Sequence, residues 1–180
     1  MGYNDAYLSH RRSGIYGEMF FAAAEAAAFT VSDPIDAIRA GMKEIPKTCT
    51  LYKDIEWALK VGPSFSEYSQ ARKAVDERFD GMSVVHTNNN ACLTMFGLML
   101  GGGDFTKTIG NTVALGLDND CTAATAGSII GAIVGSDGIP AHWTEKFNGK
   151  VRTYITGHPE LDINDLADRY VAQANKAMAL

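Results

Sequence analysis

The amino-acid sequence predicts an all-α fold, on three observations. Apolar residues recur at intervals of three and four over most of the 180 residues, the spacing of a buried helix face. Capping residues and glycine or proline breakers bracket those stretches. Only Val151–Ile155 alternates as a half-buried strand would, and it is short.

Each element follows from its own residues. Gly14–Phe29 is alanine-rich and apolar nearly all round, which predicts a buried helix. Ser32-Asp33-Pro34 supplies a cap and an early proline for a helix carrying Ile35, Ile38 and Met42, stopped by Pro46. Leu51, Ile55 and Leu59 step by four and give another, ended by Gly62-Pro63. Ser66 is placed to cap a helix with Ala71, Val75 and Phe79 on one face, closed by Asp80-Gly81. Asn90–Leu100 is apolar enough for a core helix and ends at Gly101-Gly102-Gly103. Asp104 caps the next, with Phe105, Ile109 and Val113 in step, and the small and apolar residues from Thr122 to Val134 form one more. Gly127, Gly131 and Gly135, spaced by four, make a bare face that predicts close approach of a neighbouring backbone. Asp162 begins a last, amphipathic helix with Leu166, Tyr170 and Ala174 in step. No repeat or linker interrupts the series, so a single domain over residues 1–180 is the expectation.

Composition narrows the classes of function. The net charge is -5, and no basic stripe extends beyond Arg11-Arg12, which argues against a nucleic-acid surface. The longest small or apolar runs, Phe20–Phe29 and Ala123–Val134, are too short to span a bilayer and carry Glu25, Thr125 and Ser128. The first residues lack the layout of a signal peptide. Cys49, Cys92 and Cys121 are an odd set without CxxC spacing, which argues against a disulfide framework or a structural zinc site. A reduced, cytoplasmic setting fits this composition.

The most informative segment is Gly116–Thr125, where Asp118 and Asp120 sit two positions apart at the start of a helix. Two carboxylates about 5 Å apart repel by roughly 3 kcal/mol at an effective dielectric near 20, and by under about 1 kcal/mol in water. A helix N-terminus returns only about 0.3–1 kcal/mol per anion. An exposed pair is therefore explained by capping alone. The apolar flanks favour enclosure, for which a bound cation is the simplest neutraliser.

Three chemistries compete for the pair. An EF-hand loop needs glycine at its sixth position and glutamate at its twelfth, and Ala123 and Ile129 stand there. Asp118-Asn119-Asp120-Cys121-Thr122 matches the DxDxT signature of haloacid-dehalogenase-type phosphatases. That motif follows a first strand near the start of an α/β domain, whereas this one lies late in a helical chain.

The third rests on several segments together. Ser9-His10 with Gly14-Ile15-Tyr16-Gly17, His86-Thr87 with Asn89-Asn90-Ala91, Gly103-Asp104-Phe105, the aspartate segment, and Gly138-Ile139-Pro140 with Trp143 follow in a specific order and spacing. In these the chain resembles the ADP-ribosylglycohydrolase family, all-α hydrolases that remove ADP-ribose using two magnesium ions. The likeness runs from about Asp5 to Trp143.

The resemblance implies that Asp118 and Asp120 are catalytic residues and metal ligands, with Asp120 bridging the two magnesium ions. It also implies that His10 lines the ADP-ribose pocket, although a lone histidine is more often structural. Where the family carries a Thr or Ser ligand after the second aspartate, this chain has Cys121, and a thiol is a poor magnesium ligand. Thr122 substitutes, water fills the place, or the site is weaker. Asp104 reads as a helix cap, and His86 and Asn90 as residues that tie loops together. The implied partner is an ADP-ribosylated protein or small molecule.

The family's other metal motif, a Thr-Asp-Asp triplet, does not occur in the sequence, nor does its Gly-Asn-Gly segment. The chain thus reads as the C-terminal part of such an enzyme, with half a metal site and no turnover alone. A non-catalytic structural or ADP-ribose-binding relative is the rival reading. Apolar surface left uncovered would lead to self-association or to pairing with a missing N-terminal half.

Overall fold

Local caps set most of the helix boundaries. The computed structural model describes residues 1–179, and these form ten α-helices, two short 3-10 turns and a two-stranded sheet. No helix among them is long and apolar enough to cross a membrane. The chain divides into two compact units, one over Met1–Gly138 and one from Ile139 onward.

In the first unit, α1 (Gly2–Ser9) precedes the alanine-rich α2 (Ser13–Ala28). The sequence reading missed α1 because GYNDAYLS carries no apolar periodicity. Helix α3 (Pro34–Met42) begins as expected: Asp33 Oδ1 accepts from the Ile35 N–H at 2.8 Å, and Pro34 fills the first helical position. Helix α4 (Thr50–Val61) is capped by Cys49, and α5 (Tyr68–Arg78) starts after Glu67. Ser66 does not cap α5 as expected, because its N–H and hydroxyl both turn to Gln70 Oε1. Helix α6 (Thr87–Gly101) is capped by His86, whose Nδ1 accepts from the Asn88 N–H at 3.1 Å. It ends where Gly102 turns left-handed at φ 57°. Asp104 caps α7 (Phe105–Leu115), accepting from the Lys107 N–H at 2.7 Å.

Helix α6 is the spine of this unit. It is buried over most of its length and packs against α2, α3, α4, α5 and α7. Phe96 stands at its centre, edge-on to Trp57 and Phe65. Its closest neighbour is α7. A Cβ added at Gly101 would lie 2.7 Å from the Thr108 Cα, and one at Gly97 would lie 3.2 Å from the Thr112 Cα. Gly41 on α3 admits α2 in the same way, since a Cβ there would lie 2.5 Å from the Phe20 carbonyl oxygen.

Helix α8 (Asn119–Gly138) also packs on α6 and α7, burying Thr122, Ala126, Ile129 and Ile130. Its glycine face behaves only partly as expected. Gly127 does meet α7, since a Cβ there would touch Ile109 Cδ1 at 3.0 Å. Gly135 instead breaks the helix with φ 68° and ψ 175°, and nothing stands within 4 Å of it.

The second unit holds the short α9 (Ala141–Thr144), a hairpin of β1 (Lys150–Ile155) and β2 (His158–Asp162), and α10 (Ile163–Met178). The hairpin is antiparallel, with Val151 opposite Leu161 and Lys150 Nζ donating to Glu160 Oε1 at 2.6 Å. Strand β2 was not foreseen, because its Pro159 and short polar sequence hide the pairing. Asp162 caps α10 through the N–H groups of Asn164 and Asp165, as expected.

Candidate functional site

The turn from α7 to α8 carries the aspartates. Its path is unusual: Gly116 and Leu117 both take positive φ, at 74° and 57°. A left-handed leucine costs roughly 1–2 kcal/mol, so its surroundings must hold it there. Arg72 Nη1 donates to the Leu115 carbonyl at 2.9 Å, and Asn119 Nδ2 donates to the Val113 carbonyl at 3.3 Å. The Asp118 N–H donates to Asn90 Oδ1 at 3.3 Å, and Leu117 packs against the core. Gly116 must be glycine on two counts, since a Cβ would also lie 2.7 Å from Arg72 Nη1. The Asp118 carbonyl then accepts from the Thr122 N–H at 3.0 Å and opens α8.

This geometry brings Asp118, Asp120 and Cys121 together, with their ligand-bearing atoms all within 4.8 Å of one another. The pair is less enclosed than the flanking residues suggested. Asp118 is half-buried and Asp120 is exposed, because residues 120, 124 and 128 form the outward face of α8. Water therefore screens much of their repulsion, and burial alone does not demand a cation. Asp118 accepts a hydrogen bond from the Cys121 thiol, which holds that thiol above its ordinary pKa. Slight desolvation and repulsion by both carboxylates act in the same direction, although Cys121 is exposed.

Two carboxylates on an open rim suit a hard cation that keeps several waters, and magnesium is of that kind. The thiol does not suit it. Thr122 is buried, its hydroxyl donating to the Asn119 carbonyl at 3.4 Å, so Cys121 occupies the rim position and Thr122 lies beneath. Asp118, Cys121 and Thr122 line a niche of about 180 Å³ together with Phe21, Val85 and Thr87. Asp118 follows helix α7 rather than a strand, so the arrangement that a phosphatase motif requires is absent.

A second cavity, of about 620 Å³, adjoins the niche and shares Thr87 with it. Arg11, Arg12, Thr48, Thr50 and His86 stand around it. The starts of α2, α4 and α6 all reach this cleft through Ser13, Thr50 and Thr87. Helix starts carry partial positive charge, so together with the two arginines they make the cleft electropositive. Arg11 is held in place, stacked over the Tyr7 ring and donating to the Tyr7 and His10 carbonyls at 2.6 Å each.

His10 stands beside this cleft but is not part of its lining. It is exposed, its Nδ1 lies 2.7 Å from Ser9 Oγ, and its ring rests on Gly14, where an added Cβ would come within 2.7 Å of His10 Cδ2. Sequence reasoning missed the cleft because it is assembled from three loops far apart in the chain. The one local signal was the Arg11-Arg12 pair placed directly before a helix.

The start of α6, which carries Thr87 and Asn90, is fixed from below by a buried ion pair. Arg78 Nε and Nη2 both donate to Asp54 Oδ1, at 3.1 and 2.6 Å, and Asn88 Nδ2 donates to Asp54 Oδ2 at 2.6 Å. Asp104 serves as the cap that the sequence suggested and lines neither cavity.

Comparison with curated proteins and with solved structures gave no match. The family model for ADP-ribosylglycohydrolase matches residues 1–179, which takes in both cavities and every residue discussed. The chain belongs to the ADP-ribosylglycohydrolase family.

Proposed function

We propose that Asp118 and Asp120 form one side of a magnesium-dependent site that hydrolyses the glycosidic bond between ADP-ribose and its acceptor. The observation that carries this reading is a niche lined by Asp118, with the carboxylate of the exposed Asp120 within 4.8 Å of its own, adjoining an electropositive cleft at Thr87. ADP-ribose is itself divided in that way, with a ribose to be attacked at one end and a diphosphate in the middle. The cleft is within the usual size of a small-molecule site, and the niche is smaller and suits a single sugar.

In this reading Arg11, Arg12 and the three helix starts hold the diphosphate. That leaves the terminal ribose over Asp118 and Asp120. Asp118 and Asp120 would hold magnesium, which when bound orients the ribose hydroxyls and activates water. The carboxylate oxygens facing solvent accept hydrogen bonds from the attacking water and keep it on one face of the sugar. Water adds to the anomeric carbon, the bond to the acceptor nitrogen or oxygen breaks, and the acceptor leaves with a proton. His10, beside the cleft, contributes to binding rather than to the chemistry.

The sequence contains no Thr-Asp-Asp triplet, so the remaining acidic ligands come from outside these residues. The chain alone then binds ADP-ribose without turning it over. Calorimetric titration with ADP-ribose tests the binding half of this reading. Arg12→Ala weakens binding about tenfold, as loss of one charge-assisted contact implies. Binding that ignores Arg12 would remove the cleft from the account.

A further inference from the structure

We infer that Asn90 is a positioning residue that fixes the Asp118 backbone, and with it the carboxylate, in the site proposed above; the inference rests on that reading. Asn90 is buried and fastens two segments that nothing in the sequence joins. Its Nδ2 donates to the Val84 carbonyl at 2.8 Å and to the His86 carbonyl at 2.9 Å. Its Oδ1 accepts from the Asp118 N–H at 3.3 Å.

The direction of this amide is not free. Carbonyl groups can only accept, so Val84 and His86 require Nδ2 on their side and thereby turn Oδ1 toward Asp118. Asn90 itself lines the niche beside Asp118, and through Val85 the fastened loop forms a further wall. The held turn is left-handed at Gly116 and Leu117, a path that persists only where neighbours enforce it. Arg72 secures the carbonyl that precedes the turn, while Asn90 secures the N–H of the aspartate itself. A residue on the spine helix therefore transmits the rigidity of the core to a half-exposed carboxylate.

The test compares Asn90→Ala with Asn88→Ala in the 180-residue chain. Asn88 is also buried on α6, but it bonds to Asp54 and not to the aspartate turn. Amide hydrogen exchange at Asp118 is followed by NMR, and terbium(III) luminescence titration reports on the paired carboxylates, with Asp118→Asn as the site control. Asn90→Ala should speed exchange of the Asp118 amide at least tenfold and weaken terbium binding at least fivefold. Asn88→Ala should leave both within twofold, although it lowers the melting temperature. Equal behaviour of the two variants would overturn the positioning role. If Asp118→Asn leaves terbium binding unchanged, or the unaltered chain binds none, the site reading fails, and the amide exchange alone then decides the role of Asn90.

Discussion

Arg78 places two of its nitrogens on the same Asp54 oxygen while its guanidinium lies over the Trp57 ring, 4.5 Å from the centroid. Asp54 is almost fully buried and Arg78 about one-third exposed, so the arginine closes a polar pocket from the outside. The pair links α4 to α5, and Asn88 extends the link to the start of α6, from which both cavities take a wall.

Removing the arginine leaves a buried carboxylate with one side-chain donor. Arg78→Ala should therefore cost about 3 kcal/mol in urea unfolding, a typical penalty for breaking a buried pair. Adding Asp54→Asn to that variant should recover part of the loss, since it removes the uncompensated charge. Equal or greater loss in the double variant would show that the pair acts through packing alone.

The α6–α7 crossing makes opposite predictions for two glycines. Gly101→Ala must push against the Thr108 backbone and should cost about 1–3 kcal/mol. Gly110→Ala, inside α7 with nothing within 4 Å, should stabilise by up to about 1 kcal/mol through helix propensity. Thermal unfolding of both variants checks the contrast, and a stabilising Gly101→Ala would contradict the close crossing.

Cys121 reports on Asp118 through its reactivity. A thiol held above its ordinary pKa has less thiolate at a given pH, and the thiolate is the species that alkylates. Peptide-resolved iodoacetamide labelling should show a pH midpoint for Cys121 above the ordinary thiol value. The midpoint should fall in Asp118→Asn, which loses the charged acceptor. Cys92, which burial and Asp54 hold far above the usual range, should stay unlabelled while the chain is folded. A Cys121 midpoint indifferent to Asp118 would separate the two groups.

The first unit exposes several large apolar side chains, including Leu8, Phe29, Val84 and Val85. Val85 belongs to the niche wall, so the exposure reaches the site itself. Sedimentation should show concentration-dependent association of the chain. A monomer at all concentrations would favour a self-sufficient fold.

Most of this architecture was legible because its signals are local. Asp33, Asp104 and Asp162 each sit beside the N–H groups they cap, and the carboxylates of Asp118 and Asp120 meet because two positions at a helix start are neighbours. What depends on distant partners was hidden. Strand β2 exists through pairing with β1, and the cleft exists because the segments around Arg11, Thr48 and His86 converge. The exposure of Asp120 was misjudged because Cys121 and Ala124 look like core residues but lie on the outer face of α8. The kink at Gly135 was invisible, since a stripe of glycines reads the same whether it packs or bends.

In the function proposed above, Asp118 and Asp120 supply half of a magnesium-dependent ADP-ribose hydrolase site. The direct measurement is release of ADP-ribose from a modified substrate by the chain alone, and by the chain mixed with an N-terminal ADP-ribosylglycohydrolase half carrying the Thr-Asp-Asp triplet. The chain alone should release none, and the mixture should release ADP-ribose in a magnesium-dependent way. Asp120→Ala should lower that release by several orders of magnitude, as the proposed role of its carboxylate in holding magnesium implies. Robust hydrolysis by the unaccompanied chain, or a mixture indifferent to Asp120, would contradict it.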